Sequence, residues 1–213
     1  MRKTVFIEKE YYHIYNRGVD KRIIFTQPKE LLRFLRSIRE FNITELIDSI
    51  TEKDRRTNRK LNSRVGKLVN IIAYCLNQNH FHFILEPLVD EGVQRFMHRL
   101  STGYTNYFNK KHKRSGALFQ GRYKAKHISS NEYLLHLGVY VNLNNLVHNN
   151  LNKEWMAKLP FSSFGEYKGT VNAQNQICTS FAIAKVLQIQ KPSLRSLAGL
   201  LIFCYNLFDG EIS

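Results

Sequence analysis

Asn79-His80-Phe81-His82-Phe83-Ile84-Leu85-Glu86 alternates in character and follows the apolar run Leu68-Val69-Asn70-Ile71-Ile72-Ala73-Tyr74-Cys75-Leu76. On a β-strand successive side chains point to opposite faces. His80 and His82 therefore project together, and Phe81, Phe83 and Leu85 fill the other face. Neutral imidazole is a common metal ligand, and a strand sets two rings side by side before any ion arrives. The pair by itself is equally the mark of two half-buried or surface histidines, so its meaning depends on the rest of the chain. The short link Asn77-Gln78-Asn79 joins the apolar run, read as a central strand, to the histidine strand and predicts a hairpin.

Upstream, Tyr11-Tyr12-His13-Ile14-Tyr15-Asn16 is aromatic and β-branched enough for a strand, closed by Arg17-Gly18. His13 is either a third metal ligand or, the more ordinary role, a hydrogen-bonded strand histidine. Pro28 suits the first turn of a helix whose stripe is Leu31, Phe34, Leu35, Ile38 and Phe41, read as core. From about Thr44 to Lys67 the texture changes. Glu45, Asp48, Glu52 and Asp54 precede Arg55, Arg56, Arg59, Lys60, Arg64 and Lys67, a stretch too charged for core and read as a polar insertion.

Downstream of Glu86-Pro87 the period lengthens to about 3.6 residues. Val93, Phe96, Met97, Leu100, Tyr104, Tyr107 and Phe108 form one stripe, predicting a helix over 91–109 with Asp90 as cap. The dense cluster Lys110-Lys111-His112-Lys113-Arg114 follows. A fourth strand is expected next, with Phe119, Gly121, Tyr123 and Ala125 facing the core and Gln120, Arg122, Lys124 and Lys126 facing out. Cations beside tyrosines suit a single-stranded nucleic acid, whose phosphates take the charge and whose bases stack on rings. No acid interrupts 109–130, which argues against an ordinary solvated face. Ser129 and Glu132 have capping-box spacing and announce a last helix carrying Tyr140 and Asn144, one turn apart on a shared face. A tyrosine hydroxyl can attack a phosphodiester, and an amide oxygen can complete the coordination of a divalent ion. The plainer reading of Tyr140 is a boundary aromatic.

Composition sets the outer limits. The 213 residues carry Lys+Arg 32 against Asp+Glu 17, a net charge of +15, which favours a polyanionic partner. No run reaches the roughly 18 apolar residues of a membrane span, and the N-terminus lacks the apolar core of a secretory leader, so a cytoplasmic location is expected. Cys75, Cys178 and Cys204 are far apart in apolar company and read as reduced, buried thiols.

Five separated motifs share an order: Tyr12-His13-Ile14-Tyr15-Asn16-Arg17-Gly18, Asn79-His80-Phe81-His82, Asn106-Tyr107-Phe108-Asn109, Phe119-Gln120-Gly121-Arg122-Tyr123-Lys124, and Tyr140-Val141-Asn142-Leu143-Asn144. Together they resemble the single-tyrosine HUH transposases (the IS200-like transposase domain), above all the branch known as REP-associated tyrosine transposases. Phe161-Ser162-Ser163-Phe164 resembles that family's aromatic-Ser-Ser-aromatic segment. Apolar patterning beyond about Gly169 predicts a helical C-terminal extension, and the resemblance implies an α+β, ferredoxin-like sandwich with a four-stranded antiparallel sheet, the HUH strand central and the tyrosine helix beside it. It divides the chain into a catalytic domain over 1–168, with the insertion around 44–67, and an extension over 169–213. Two apolar helices are expected there, Ile177 to Gln190 and Leu194 to Phe208. It also implies Tyr140 as nucleophile and His80, His82 and Asn144 as ligands of Mg2+ or Mn2+. Arg17, Lys110, Lys111, Lys113, Arg114, Arg122, Lys124 and Lys126 are the expected DNA contacts.

Asn77-Gln78 stand where the family usually has Met-Pro, and Asn145 replaces a usual proline; neither position carries chemistry in this reading. The activity implied is metal-dependent cleavage and rejoining of single-stranded, hairpin-containing DNA from a repeat or element end. It proceeds through a 5′-phosphotyrosine, by a monomer or homodimer. A non-catalytic single-strand binder and a hydrolytic nuclease with a structural Tyr140 are the alternatives.

Overall fold

The alternation in the histidine strand decides which side of the sheet is core. A computed structural model describes residues 4–45, 66–147, 161–167 and 176–179. Its main elements are β1 (Tyr11–Arg17), α1 (Pro28–Phe41), β2 (Val69–Leu76), β3 (His80–Pro87), α2 (Gly92–Lys111), β4 (Lys124–Ile128), α3 (Asn131–Val147) and a short helix α4 (Phe164–Tyr167). The sheet is antiparallel and four-stranded in the order β2-β3-β1-β4, the ferredoxin-like arrangement. β3 lies inside it, as expected.

Phe81, Phe83 and Leu85 of β3, Tyr12 and Ile14 of β1, and Tyr74 and Leu76 of β2 are all buried on one face with α1 and α2. Phe34 of α1 meets Phe81 and Tyr104 with ring centroids 5.6 and 4.9 Å apart. Each such fully buried side chain contributes roughly 2 kcal/mol from apolar area. The two helices come close at Gly103, where an added Cβ would stand 2.6 Å from the Phe41 ring. On the opposite face α3 covers only part of the sheet, packing Leu134, Leu137 and Val141 on Ile72, Ala73, Cys75, Ile84 and Ile128.

The strand read as central from its apolar run is an edge strand. β2 is nevertheless buried, because later chain closes its open side. Leu76 N–H donates to Phe161 O at 2.7 Å, Ser163 N–H to Tyr74 O at 3.0 Å, and Thr179 N–H to Ile71 O at 2.9 Å. Such cover satisfies backbone groups that an open edge would expose. The buried Glu166 carboxylate joins the two covering segments, accepting from Tyr74 Oη at 3.0 Å and from the Ile177 and Cys178 amides at 3.0 and 2.7 Å. Residues 177–179 are therefore docked and non-helical where the start of an apolar helix is expected. The remainder of that helix, the one over 194–208, and Cys204 lie outside the described residues. Cys75 and Cys178 are buried, as expected.

Most of the expected insertion, 46–65, also lies outside the described residues. Its two ends meet, since Thr44 N–H donates to Gly66 O at 2.9 Å. The buried Asn42 side chain locks this junction to β2, accepting from the Leu68 and Val69 amides at 3.1 and 3.0 Å and donating to Val69 O at 2.8 Å.

Three local expectations change. The cap position of α2 is held by Glu91, in a left-handed conformation and without a capping side-chain hydrogen bond, instead of by Asp90. The fourth strand begins at Lys124 instead of Phe119, because Gly121 takes a positive φ of 67° that breaks the extended run. Phe119 forms only an isolated bridge to Gly18. The cap of α3 is Ser130 and not Ser129, its Oγ accepting from Tyr133 N–H at 3.1 Å. Among the described residues no helix is long and apolar enough to cross a membrane.

Glu30 in α1 is buried and binds Lys111 at 2.8 Å and His112 at 2.7 Å from the end of α2, with Thr26 N–H and Oγ at 2.6 and 2.8 Å. Burial alone would raise its pKa; hydrogen bonds from Lys111, Thr26 and His112 outweigh that and lower it. Because the folded pKa is the lower one, this stability is complete above the ordinary carboxylate range and is lost as pH falls through the depressed folded value. Glu30→Gln is expected to cost about 1–3 kcal/mol at pH 7. Urea denaturation across pH checks it: the gap between wild type and variant should narrow below the ordinary carboxylate range and close as pH falls through the depressed folded value.

Candidate metal and nucleophile site

Pairing across the sheet sets the neighbourhood of the histidines. Arg17 stands opposite His80 and Tyr15 opposite His82, while Lys124 and Lys126 of β4 stand opposite Tyr15 and His13. All of these share the face on which α3 lies. One turn apart on α3, Tyr140 and Asn144 both reach the histidine pair. The Tyr140 ring meets His82 edge-on with centroids 5.9 Å apart. Asn144 Oδ1 lies 3.2 Å from His80 Nε2.

Each histidine is oriented through its Nδ1. His80 Nδ1 is 2.6 Å from Asn79 Oδ1, an acceptor, so the proton belongs on Nδ1 and Nε2 keeps its lone pair. His82 Nδ1 is 2.9 Å from His13 Nε2. Burial, with Lys126 adding to it, pushes the His13 pKa down to about 4, so His13 is neutral near pH 7 and can accept that proton. In metal sites a hydrogen-bond partner on the far ring nitrogen fixes the tautomer and the ring in this way. Of the two roles open to His13, the structure gives the hydrogen-bonded one.

No group of three or more His, Cys, Asp or Glu side chains among the described residues is placed to hold an ion; an amide would have to complete the set. The donor atoms fit one. His80 Nε2 and Asn144 Oδ1 are both acceptors, yet they stand 3.2 Å apart. That is close to the roughly 3 Å between neighbouring ligands of an octahedral ion with bonds of about 2.1 Å. Asn144 is fully buried, and its Nδ2 makes no hydrogen bond of ordinary geometry among the described residues. Burial raises the Tyr140 pKa, and the nearby Asn144 amide draws it part of the way back.

On the β1–β4 side of this face Tyr15 is half-buried and Lys124 and Lys126 are exposed. Tyr15 stacks on His13 and His82 with centroids 4.9 and 5.8 Å apart, and Lys124 Nζ lies 5.9 Å above the Tyr15 ring. Lys126 Nζ lies 5.1 Å above Tyr133. Arg17 Nε donates to Gln120 Oε1 at 2.6 Å on the exposed rim. No carboxylate among the described residues forms an ion pair with Arg17, Arg122, Lys124 or Lys126. The Lys110–Arg114 cluster divides. Lys110 and Lys113 are exposed. Lys111 pairs with Glu30, and Arg114 bonds Asn109 Oδ1 and Ala117 O within its own loop. Sequence reading passed over Tyr15, although its alternation with His13 was the available signal, and it gave Asn77 no chemistry.

Residues 51–144 match the family model described as Transposase IS200 like. That stretch is similar to the IS200-like transposases. The matched stretch ends at Asn144, so it contains His80, His82 and Tyr140 and leaves out β1 and α1. A solved structure of a REP-associated tyrosine transposase bound to a REP hairpin is similar to the IS200-like fold described here. Its TM-score is 0.51 at 16% identity, over 78% of this chain and 83% of that one. At that identity the likeness speaks for the fold. No curated protein matches.

Proposed function

We propose that this IS200-like transposase domain cuts and rejoins single-stranded DNA beside a hairpin, with Tyr140 as nucleophile and Mg2+ or Mn2+ held by His80, His82 and Asn144. The observation that carries this reading is the meeting of Tyr140 and Asn144, from one face of α3, with the oriented histidine pair of β3. A bound cation would supply charge stabilisation for a non-bridging oxygen of the scissile phosphate.

The chain's own groups would do the rest. Tyr140 Oη gives up its proton and bonds to phosphorus; the bond to the 3′ oxygen breaks, and that oxygen takes a proton and leaves as a 3′-hydroxyl. The 5′-phosphate stays on Tyr140. One phosphodiester replaces another, so attack by a second 3′-hydroxyl rejoins the strand without ATP. Burial disfavours the phenolate, so orientation of the phenol over the phosphate must contribute much of the rate. Tyr15 would offer a ring to a base, and Arg17, Lys110, Lys113, Arg122, Lys124 and Lys126 would take phosphates. The hairpin in the similar solved complex supports a foldback DNA as substrate. The reading implies a cytoplasmic protein acting as monomer or homodimer, with the catalytic part within 1–168.

Incubation with a library of hairpins carrying single-stranded flanks, followed by denaturing electrophoresis, tests the proposal. A covalent protein–DNA adduct is expected. Cleavage without an adduct would replace it with a hydrolase, and binding without cleavage with a binder. Affinity for a flanked hairpin should also fall with salt, by about 0.7 log units per log unit of salt for each single-strand phosphate neutralised. Lys124→Ala should reduce that slope by roughly one contact. A flat salt profile would remove the cationic face from the argument.

A further inference from the structure

We propose that Asn77 is a positioning residue that decides which end of the Asn144 amide faces the cation site; this rests on the ligand assignment proposed above. Asn77 is fully buried. Its Nδ2 donates to Asn144 Oδ1 at 2.6 Å and lies 2.8 Å from His80 Nε2. Its own Oδ1 faces the Cys75 thiol, with Sγ 4.0 Å away.

The two ends of a primary amide are nearly alike in shape, so partners alone choose between them. For Asn144 the choice is not made by saturation, because in the observed orientation its buried Nδ2 makes no hydrogen bond of ordinary geometry among the described residues, though it lies near enough to the Tyr140 phenol to lower its pKa. Turned about, that Nδ2 would meet the His80 lone pair and put a donor where a cation needs an acceptor. Asn77 opposes the turn. Its NH2 can only donate, so a reversed Asn144 would set two NH2 groups against each other within 2.6 Å. The Asn77 amide thus keeps Asn144 Oδ1 and His80 Nε2 side by side as acceptors. The hydrogen bond to Asn144 uses one Oδ1 lone pair and leaves the second for a metal ion, whereas the Asn77 N–H that faces the single lone pair of His80 Nε2 has to give way when the ion binds.

Calorimetric titration of the whole chain with Mn2+, without DNA, tests this as a double-mutant cycle. Asn77→Leu keeps the volume and removes the donor, and is expected to weaken Mn2+ binding about tenfold, within the range for groups that orient ligands. Asn144→Asp presents oxygen at either end, so orientation no longer matters. In that background Asn77→Leu should cost less than about threefold. Equal losses in both backgrounds, or none in either, would overturn the positioning role. Mn2+ binding that survives unchanged in the His80→Ala, His82→Ala variant would sink the metal site itself. Lost binding there, with equal losses in the cycle, would sink Asn77 alone. Asn77→Ala run in parallel guards against a leucine that does not fit. Failure of both variants to fold would also count against the inference, since a purely orienting side chain predicts a lost hydrogen bond and not a lost fold.

Discussion

Tyr140→Phe is expected to bind a flanked hairpin and Mn2+ as the wild type does, and to form no covalent adduct. The substitution removes one hydroxyl and keeps the ring that packs edge-on against His82. Its phenol is partly buried, so the variant also sheds a polar atom whose desolvation raised its pKa, and stability should hold. Strand cleavage should fall by at least about 10³-fold, the scale on which removal of a nucleophile is usually felt. Tyr104→Phe, Tyr107→Phe, Tyr123→Phe and Tyr133→Phe serve as controls that should still give an adduct. Electrophoresis of the quenched reaction reads both outcomes. If Tyr140→Phe still cuts at the same phosphate, water or another residue attacks, and the hydrolase reading takes over.

The second large effect belongs to the histidines. His80→Ala combined with His82→Ala removes two of three proposed ligands from a strand in the middle of the sheet. Mn2+-dependent cleavage should drop by about 10³-fold or more, and the calorimetric signal for Mn2+ should vanish. Hairpin affinity should change little, because the proposed phosphate contacts, on β4 and the segment before it, at Arg17 and at the end of α2, are separate from the proposed metal ligands. The fold should tolerate the loss, since the phenylalanine face of the same strand remains packed against α1 and α2. EDTA should reproduce the effect on wild-type protein. Undiminished cleavage by the double variant would refute the ligand assignment.

Sequence by itself determined whatever depends on local periodicity. The period of two in 79–86 separated His80 and His82 from Phe81 and Phe83, and helical spacing put Tyr140 and Asn144 on one face of α3. The stripes of α1 and α2, the hairpin at 77–79 and the excess of positive charge were equally legible, because each follows from neighbours in the chain. Periodicity cannot say what covers a strand. The unbroken apolar run of β2 reads as central, yet β2 is an edge whose exposed side is closed by Phe161–Ser163 and Thr179, more than eighty residues away. Nor does composition separate the cations: Lys110 and Lys111 are adjacent, but only Lys111 meets the buried Glu30 carried by α1. The sheet break at Gly121 depends on a single positive φ that alternation conceals. The roles of His13 and Asn77 lay furthest from the sequence. Each is set by one hydrogen bond to a side chain brought near by the fold, His13 to His82 across the β1–β3 ladder and Asn77 to Asn144 from α3. A hydrogen bond needs placement to a few tenths of an ångström, which pattern along a chain does not carry and packing of sheet against helix does.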